Sequence, residues 1–149
     1  MKKLAINKRA RFDYEILSMH EAGIVLTGNE VKAVKSGHAS LKGAFVTVRD
    51  GELYLTNAMI SPYQNQPSHH RDANISRKLL MHRHEIDQLI GKKSQQGLTL
   101  LPVELYLKRR RVKVAVALGR GKKKFDKRED IKRRDAKRAI ARETRDKVS

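Results

Sequence analysis

The sequence predicts a mainly β fold with flanking helices: a small antiparallel barrel of about six strands, followed by a basic C-terminal tail. Three observations predict it. Apolar and polar residues alternate through Gly43–Arg49 and Glu52–Ala58, the period of a half-buried strand, and Asp50-Gly51 between them is a two-residue hairpin signal. Most strands are joined by short turns and only two body segments carry a helical period, which suits antiparallel closure better than a βαβ sheet. From Gly119 to Ser149 the chain holds 14 Lys/Arg against 6 Asp/Glu, and its only large apolar side chains are Phe125, Ile131, Ile140 and Val148. That is too little apolar surface to offset the entropy of ordering about 30 residues alone. The chain thus divides into a body, 1–118, and a tail, 119–149.

Lys2, Lys3, Lys8, Arg9 and Arg11 form a basic N-terminal arm. Asp13–Met19 and Gly23–Thr27 read as two strands broken at Glu21-Ala22-Gly23. Thr27-Gly28-Asn29-Glu30 fits a capping box, opening a short helix with Val31 and Val34 one turn apart and Gly37 as its stop. After the hairpin, Ser61–Arg77 is a polar loop containing Pro62 and Pro67. Leu79–Gln96 reads as a helix on the stripe Ile86, Leu89 and Ile90, stopped by Gly97. Leu98–Leu107 is a strand with Leu101, Val103, Leu105 and Leu107 on one face, and Pro102 marks an edge position or a bulge. Lys108–Arg111 is a basic turn, and Val112, Val114, Val116 and Leu118 define a half-buried last strand. Such a barrel with a helix plugging one end is OB-like, a build that often binds nucleic acid, although fold alone does not prove function. In the tail, Glu129–Arg133, Asp130–Arg134 and Glu143–Lys147 are acid-first i, i+4 pairs. With no apolar face to pack, the tail is expected to be disordered alone and helical when bound.

The formal net charge is +18, with +10 in the body and +8 in the tail. Counterion release draws such a chain to a polyanion, nucleic acid first and an anionic membrane second. No apolar run reaches the roughly 18–20 residues of a membrane span, so a cytoplasmic protein is expected. There is no Cys and hence no disulfide framework. His69-His70 with Asp72, and His82-x-His84, lack a third convergent metal ligand, so no metal and no cofactor are expected. The acids stand singly, with no pair for two-metal hydrolysis. Gly119-x-Gly121 follows a strand without the rest of a phosphate-loop fingerprint and reads as a hinge. The expectation is a protein that is not an enzyme.

Glu30 has two readings that do not exclude each other: helix cap, and acceptor for a base or ribose donor beside Lys32 and Lys35. The runs Lys108–Arg111 and Lys122-Lys123-Lys124 are expected phosphate contacts. With only four Tyr and three Phe, recognition of structured RNA by shape and backbone is favoured over reading single-stranded bases.

Several blocks carry a resemblance: Asn7-Lys8-Arg9-Ala10-Arg11-Phe12-Asp13-Tyr14, Glu21-Ala22-Gly23, Gly28-Asn29-Glu30-Val31-Lys32, Asp50-Gly51-Glu52, Arg77-Lys78-Leu79-Leu80 and Gly121-Lys122-Lys123-Lys124-Phe125-Asp126-Lys127-Arg128. In this order, over nearly the whole chain, they resemble the SsrA-binding protein family, SmpB. The resemblance implies an OB-type barrel that binds the tRNA-like domain of transfer-messenger RNA (SsrA) and serves trans-translation, the rescue of ribosomes stalled on messages without a stop codon. The tail would enter the empty message channel beyond the decoding centre and fold there as a helix. Alanyl-tRNA synthetase and elongation factor Tu would be indirect partners. Matched to the family's motifs, Asn7, Glu30, Lys32 and Lys35 would lie at the transfer-messenger RNA, joined by Lys8, Arg9 and Arg11 of the arm. Gly121, Lys122, Lys123, Phe125, Asp126, Lys127 and Arg128, with Lys124 of the same basic run, would act in the ribosome. Phe125 would stack on a ribosomal base. Composition alone fits a second class equally well, a structural ribosomal RNA-binding protein.

Overall fold

The structure is a computed structural model that describes residues 2–61, 75–122 and 124–148; for 124–126 and 140–148 it describes the course of the chain only. The element order is β1 (Lys2–Ile6), α1 (Ala10–Asp13), β2 (Tyr14–Ile24), α2 (Gly28–Lys35), β3 (Ala39–Ser40), β4 (Phe45–Arg49), β5 (Glu52–Thr56), β6 (Met59–Ile60), β7 (Arg77–Leu80), α3 (Arg83–Gln96), β8 (Thr99–Lys108), β9 (Arg111–Gly121) and α4 (Lys124–Val148). Seven strands form one antiparallel sheet in the order β1-β8-β9-β2-β7-β5-β4, and β3 pairs with β6. β4 lies against β8 and β1 against β3, so the sheet curls toward closure. The mainly β, OB-like expectation with flanking helices holds, with more strands than the six expected.

The hairpin β4–β5 forms where its turn chemistry dictates. Asp50 and Gly51 have φ of +52° and +73°, the paired left-handed residues that match strand twist. The capping box also forms: the Thr27 hydroxyl accepts from Glu30 N–H at 3.2 Å, and Glu30 Oε1 accepts from Thr27 N–H at 2.9 Å. Ala33 and Val34 are the buried face of α2.

Four local expectations are corrected by packing. The two strands around Glu21-Ala22-Gly23 are one, β2; a Cβ on Gly23 would sit 3.3 Å from Leu80 Cβ, so the glycine admits β7 rather than breaking the strand. Leu79 and Leu80 belong to β7, and α3 starts only at Arg83. Pro102 stands at a bulge, one of its two expected settings, in a strand between β1 and β9, and the bulge leaves Val103 unmatched in the β8–β9 register, which corrects the expectation that Leu101, Val103 and Leu105 share a face. The extra residue flips the pleat, so Leu100 and Leu105 face the main core while Leu101, Val103 and Tyr106 face a second cluster with Ala10, Ala115 and Ala117. Finally, β9 is buried on both faces and runs to Gly121, past the expected boundary at 118. A Cβ on Gly119 would lie 3.1 Å from Leu101 Cδ2 and 3.2 Å from Tyr14 Cβ. This glycine serves close strand approach, so the hinge expected at Gly119-x-Gly121 is not at Gly119.

Candidate nucleic-acid interface

The long strand β2 sorts the candidate residues. Its Tyr14 end pairs with Gly121 and its Ile24 end with Leu79, and eleven residues of strand separate the ends by roughly 33 Å. The arm, α1 and the root of the tail gather at the Tyr14 end. The chain leaves the Ile24 end into α2, which carries Lys32 and Lys35, both exposed. The residues expected to bind RNA together are therefore divided between two ends of the barrel.

At the Tyr14 end, Asn7 braces the bulge of β8. Its backbone N–H donates to Val103 O and its Nδ2 to Pro102 O, each at 2.8 Å. Lys8, Arg9 and Arg11 are exposed around it. Arg9 donates to Asp13 at 3.2 Å and lies over the Phe12 ring, 4.7 Å from its centre. The tail root joins the same spot. Lys122 N–H donates to Asp13 O at 2.9 Å, and Lys122 Nζ bonds to Arg11 O at 2.9 Å and to Asp130. Lys127 Nζ is 3.1 Å from Asp13 Oδ1. Burial of the Asp13 carboxyl would raise its pKa, but hydrogen bonds from Lys127 and Arg9 outweigh this and hold it below the usual range. The Lys122 bond likewise lowers Asp130. Gly121 and Arg128 are exposed; Lys123 and the side chains of Lys124, Phe125 and Asp126 lie outside the described residues.

Glu30 takes the helix-cap role. Oε1 is engaged by the cap, and Oε2 takes the Arg77 Nε–H at 2.7 Å. A carboxylate so engaged, with its side chain 13% exposed, is a structural group of the body. Arg77 itself, expected in a polar loop, is 1% exposed. Sequence reasoning missed it because the carboxylate that justifies its burial lies 47 positions away.

The basic turn resolves into two parts. Arg109 and Arg110 form a second two-residue turn with φ of +50° and +66°, exposed at the tip of the β8–β9 hairpin. Lys108 instead pairs with Glu21 at 3.1 Å, and Glu21 also accepts from Tyr106 Oη at 2.6 Å. The Tyr106 bond, then the Lys108 bond, hold the Glu21 carboxyl below its usual range. Burial, then the Glu21 hydrogen bond, push the Tyr106 phenol well above the ordinary tyrosine range. Because its folded pKa is raised, Tyr106 contributes stability that is present below the unfolded tyrosine pKa and lost as pH rises through the folded one. Alkaline titration followed by phenolate absorbance should show a late component that vanishes in Tyr106→Phe.

Among the described residues no three His, Asp or Glu side chains gather as a metal site, and no helix is long and apolar enough to cross a membrane. His69, His70 and Asp72 lie outside the described residues. His82 and His84 stack with ring centres 6.3 Å apart at the start of α3.

A nearly closed antiparallel barrel with cations at both ends and a basic helical extension is a nucleic-acid-binding build. The chain belongs to the SmpB family, whose model, described as SmpB protein, matches residues 4–146. It is 49% identical over 143 residues to the SsrA-binding protein of Thermosynechococcus vestitus, covering 95% of this chain and 94% of that one. The SsrA-binding protein of Bacillus subtilis is 48% identical over 145 residues, with coverage of 97% and 93%. A chain in a solved structure described as "tmRNA-SmpB: a journey to the center of the bacterial ribosome" is 45% identical. It superposes with a TM-score of 0.67, covering 85% of this chain and 92% of that one.

Proposed function

We propose that the protein is a non-catalytic RNA-binding adaptor of trans-translation in the cytoplasm. Its body binds the tRNA-like domain of transfer-messenger RNA and brings that RNA to stalled ribosomes, and its tail senses the empty message channel. The observation that carries this reading is the near full-length similarity to SsrA-binding proteins and to a chain of a tmRNA-SmpB ribosome structure. The division of cations supports two RNA surfaces on one barrel: Lys32 and Lys35 beyond one end of β2, and Lys8, Arg9, Arg11 and the tail root at the other. Asn7 holds the arm to the β8 bulge and so sets where those cations sit. Elongation factor Tu and alanyl-tRNA synthetase are indirect partners that act on the same RNA.

The tail reading rests on α4. Residues 131–139 are exposed throughout, so from 135 to 139 the helix gains nothing from packing on the body. A helix of this kind is marginal in water. Past Arg134 it unfolds in the free protein and re-forms where RNA walls neutralise its charge. Gly121 to Arg128 form the junction that meets the ribosome.

The test is an RNA and ribosome binding assay with the full chain. Binding of transfer-messenger RNA should survive an excess of ordinary tRNA, and ribosome-bound protein should wash off in high salt, since exposed charge contacts are screened. A chain that ignores transfer-messenger RNA and stays with washed subunits would be a structural ribosomal component, and the reading would fall.

A further inference from the structure

We infer that Phe12 and Asp13 of α1 are positioning residues that seat the root of the tail and so aim it; this rests on the reading that the tail acts in the ribosome. α1 is only four residues long, yet two segments converge on it. The arm contributes Arg9. The tail contributes Lys122, Lys127 and Arg134, the last with its guanidinium 5.1 Å from the Phe12 ring centre. Lys127 reaches the Asp13 carboxylate at 3.1 Å and lies 5.8 Å from the same ring.

The spacing on α4 matches this seat. Lys127, Asp130 and Arg134 stand at i, i+3 and i+7, one face of a helix. Lys127 and Arg134 turn to α1, and Asp130 turns back to Lys122 at the end of β9. The stripe facing the body is thus charged where an ordinary surface helix would be apolar. Its partners are the Asp13 carboxylate, the Phe12 ring and the Lys122 ammonium. Meanwhile Lys122 N–H and Nζ both bond to α1 carbonyls, fixing the strand end on which the helix pivots.

Contacts of this kind, only partly buried, are individually weak. They fix a direction without fixing the helix permanently. A tethered tail that already points along one line meets its channel more often than one that sweeps all directions. Arg9, Lys127 and Arg134 are also cations that a phosphate backbone would attract.

The chain has no Cys, so a pair of spin labels can be placed cleanly through Gln96→Cys and Lys132→Cys. In the otherwise unchanged protein the distance distribution should contain a narrow component. In Phe12→Leu/Asp13→Asn it should broaden, with transfer-messenger RNA affinity unchanged within about twofold and peptide tagging lowered by about tenfold, the scale of a lost positioning contact. Phe12→Tyr/Asp13→Glu, which keeps ring and charge, should restore both the narrow component and tagging. Identical distributions in all three proteins, or full tagging by the first variant, overturns the proposal. Absence of tagging by the unaltered protein would instead count against trans-translation, and the distances would still decide the seat.

Discussion

Arg77→Ala is expected to destabilise the body by about 3–5 kcal/mol, the cost of removing one partner of a buried ion pair. Arg77 stands at the start of β7 with 1% of its surface exposed. It donates from Nε to Glu30 at 2.7 Å and from Nη1 to the carbonyls of Ala58 and Ile75 at 3.0 and 3.2 Å. One guanidinium thus ties α2, the segment before β6 and the entry to β7 together. Lys cannot replace it, because a single ammonium does not reproduce the planar fork. Urea denaturation should show the midpoint of Arg77→Lys falling nearly as far as that of Arg77→Ala. A Glu30→Gln/Arg77→Met double variant should recover part of the loss. It removes the charge from both sides, but the two carbonyls still lose their donor, at about 1–3 kcal/mol. A double-variant cycle without coupling between the two sites would sink this account.

The same pair shows where sequence reading stops. The capping box was legible because its two residues are three apart and their chemistry is local. The β4–β5 hairpin was legible because alternation and Asp50-Gly51 agree. Arg77 was not, since a polar residue amid Ser, Asn and Pro reads as loop until its distant carboxylate is known. Nor was the continuity of β2. Gly23 signals a turn locally, and only the approach of Leu80 shows what the missing Cβ is for. The alternation of β8 misled at Leu105, because one bulged residue reverses every face after it. For the interface, the cations were legible as charge, but not their division between two ends of β2. The role of Phe12 and Asp13 was equally hidden, since it depends on β9 ending beside α1.

Ending the chain at Lys122 is expected to leave transfer-messenger RNA binding intact and to abolish peptide tagging on a message without a stop codon. The cut point follows from the sheet. Gly119, Arg120 and Gly121 pair with Ile16, Glu15 and Tyr14, and Lys122 N–H bonds to Asp13 O. Ending at Leu118 would strip that pairing from β2 and remove the anchor of α1. Its RNA binding could then fall simply because the arm is no longer held. At roughly 1 kcal/mol for each backbone hydrogen bond lost, the shorter truncation should also melt lower. The cut after Lys122 keeps Lys122 on the Arg11 and Asp13 carbonyls while removing Lys127, Asp130 and Arg134. Binding retained with tagging gone assigns RNA recruitment to the barrel and channel sensing to α4. Binding lost from a barrel that melts normally would make the tail part of the primary RNA clamp. The arm and the tail root would then be one surface for one RNA, and the two-ended arrangement of cations would need another purpose.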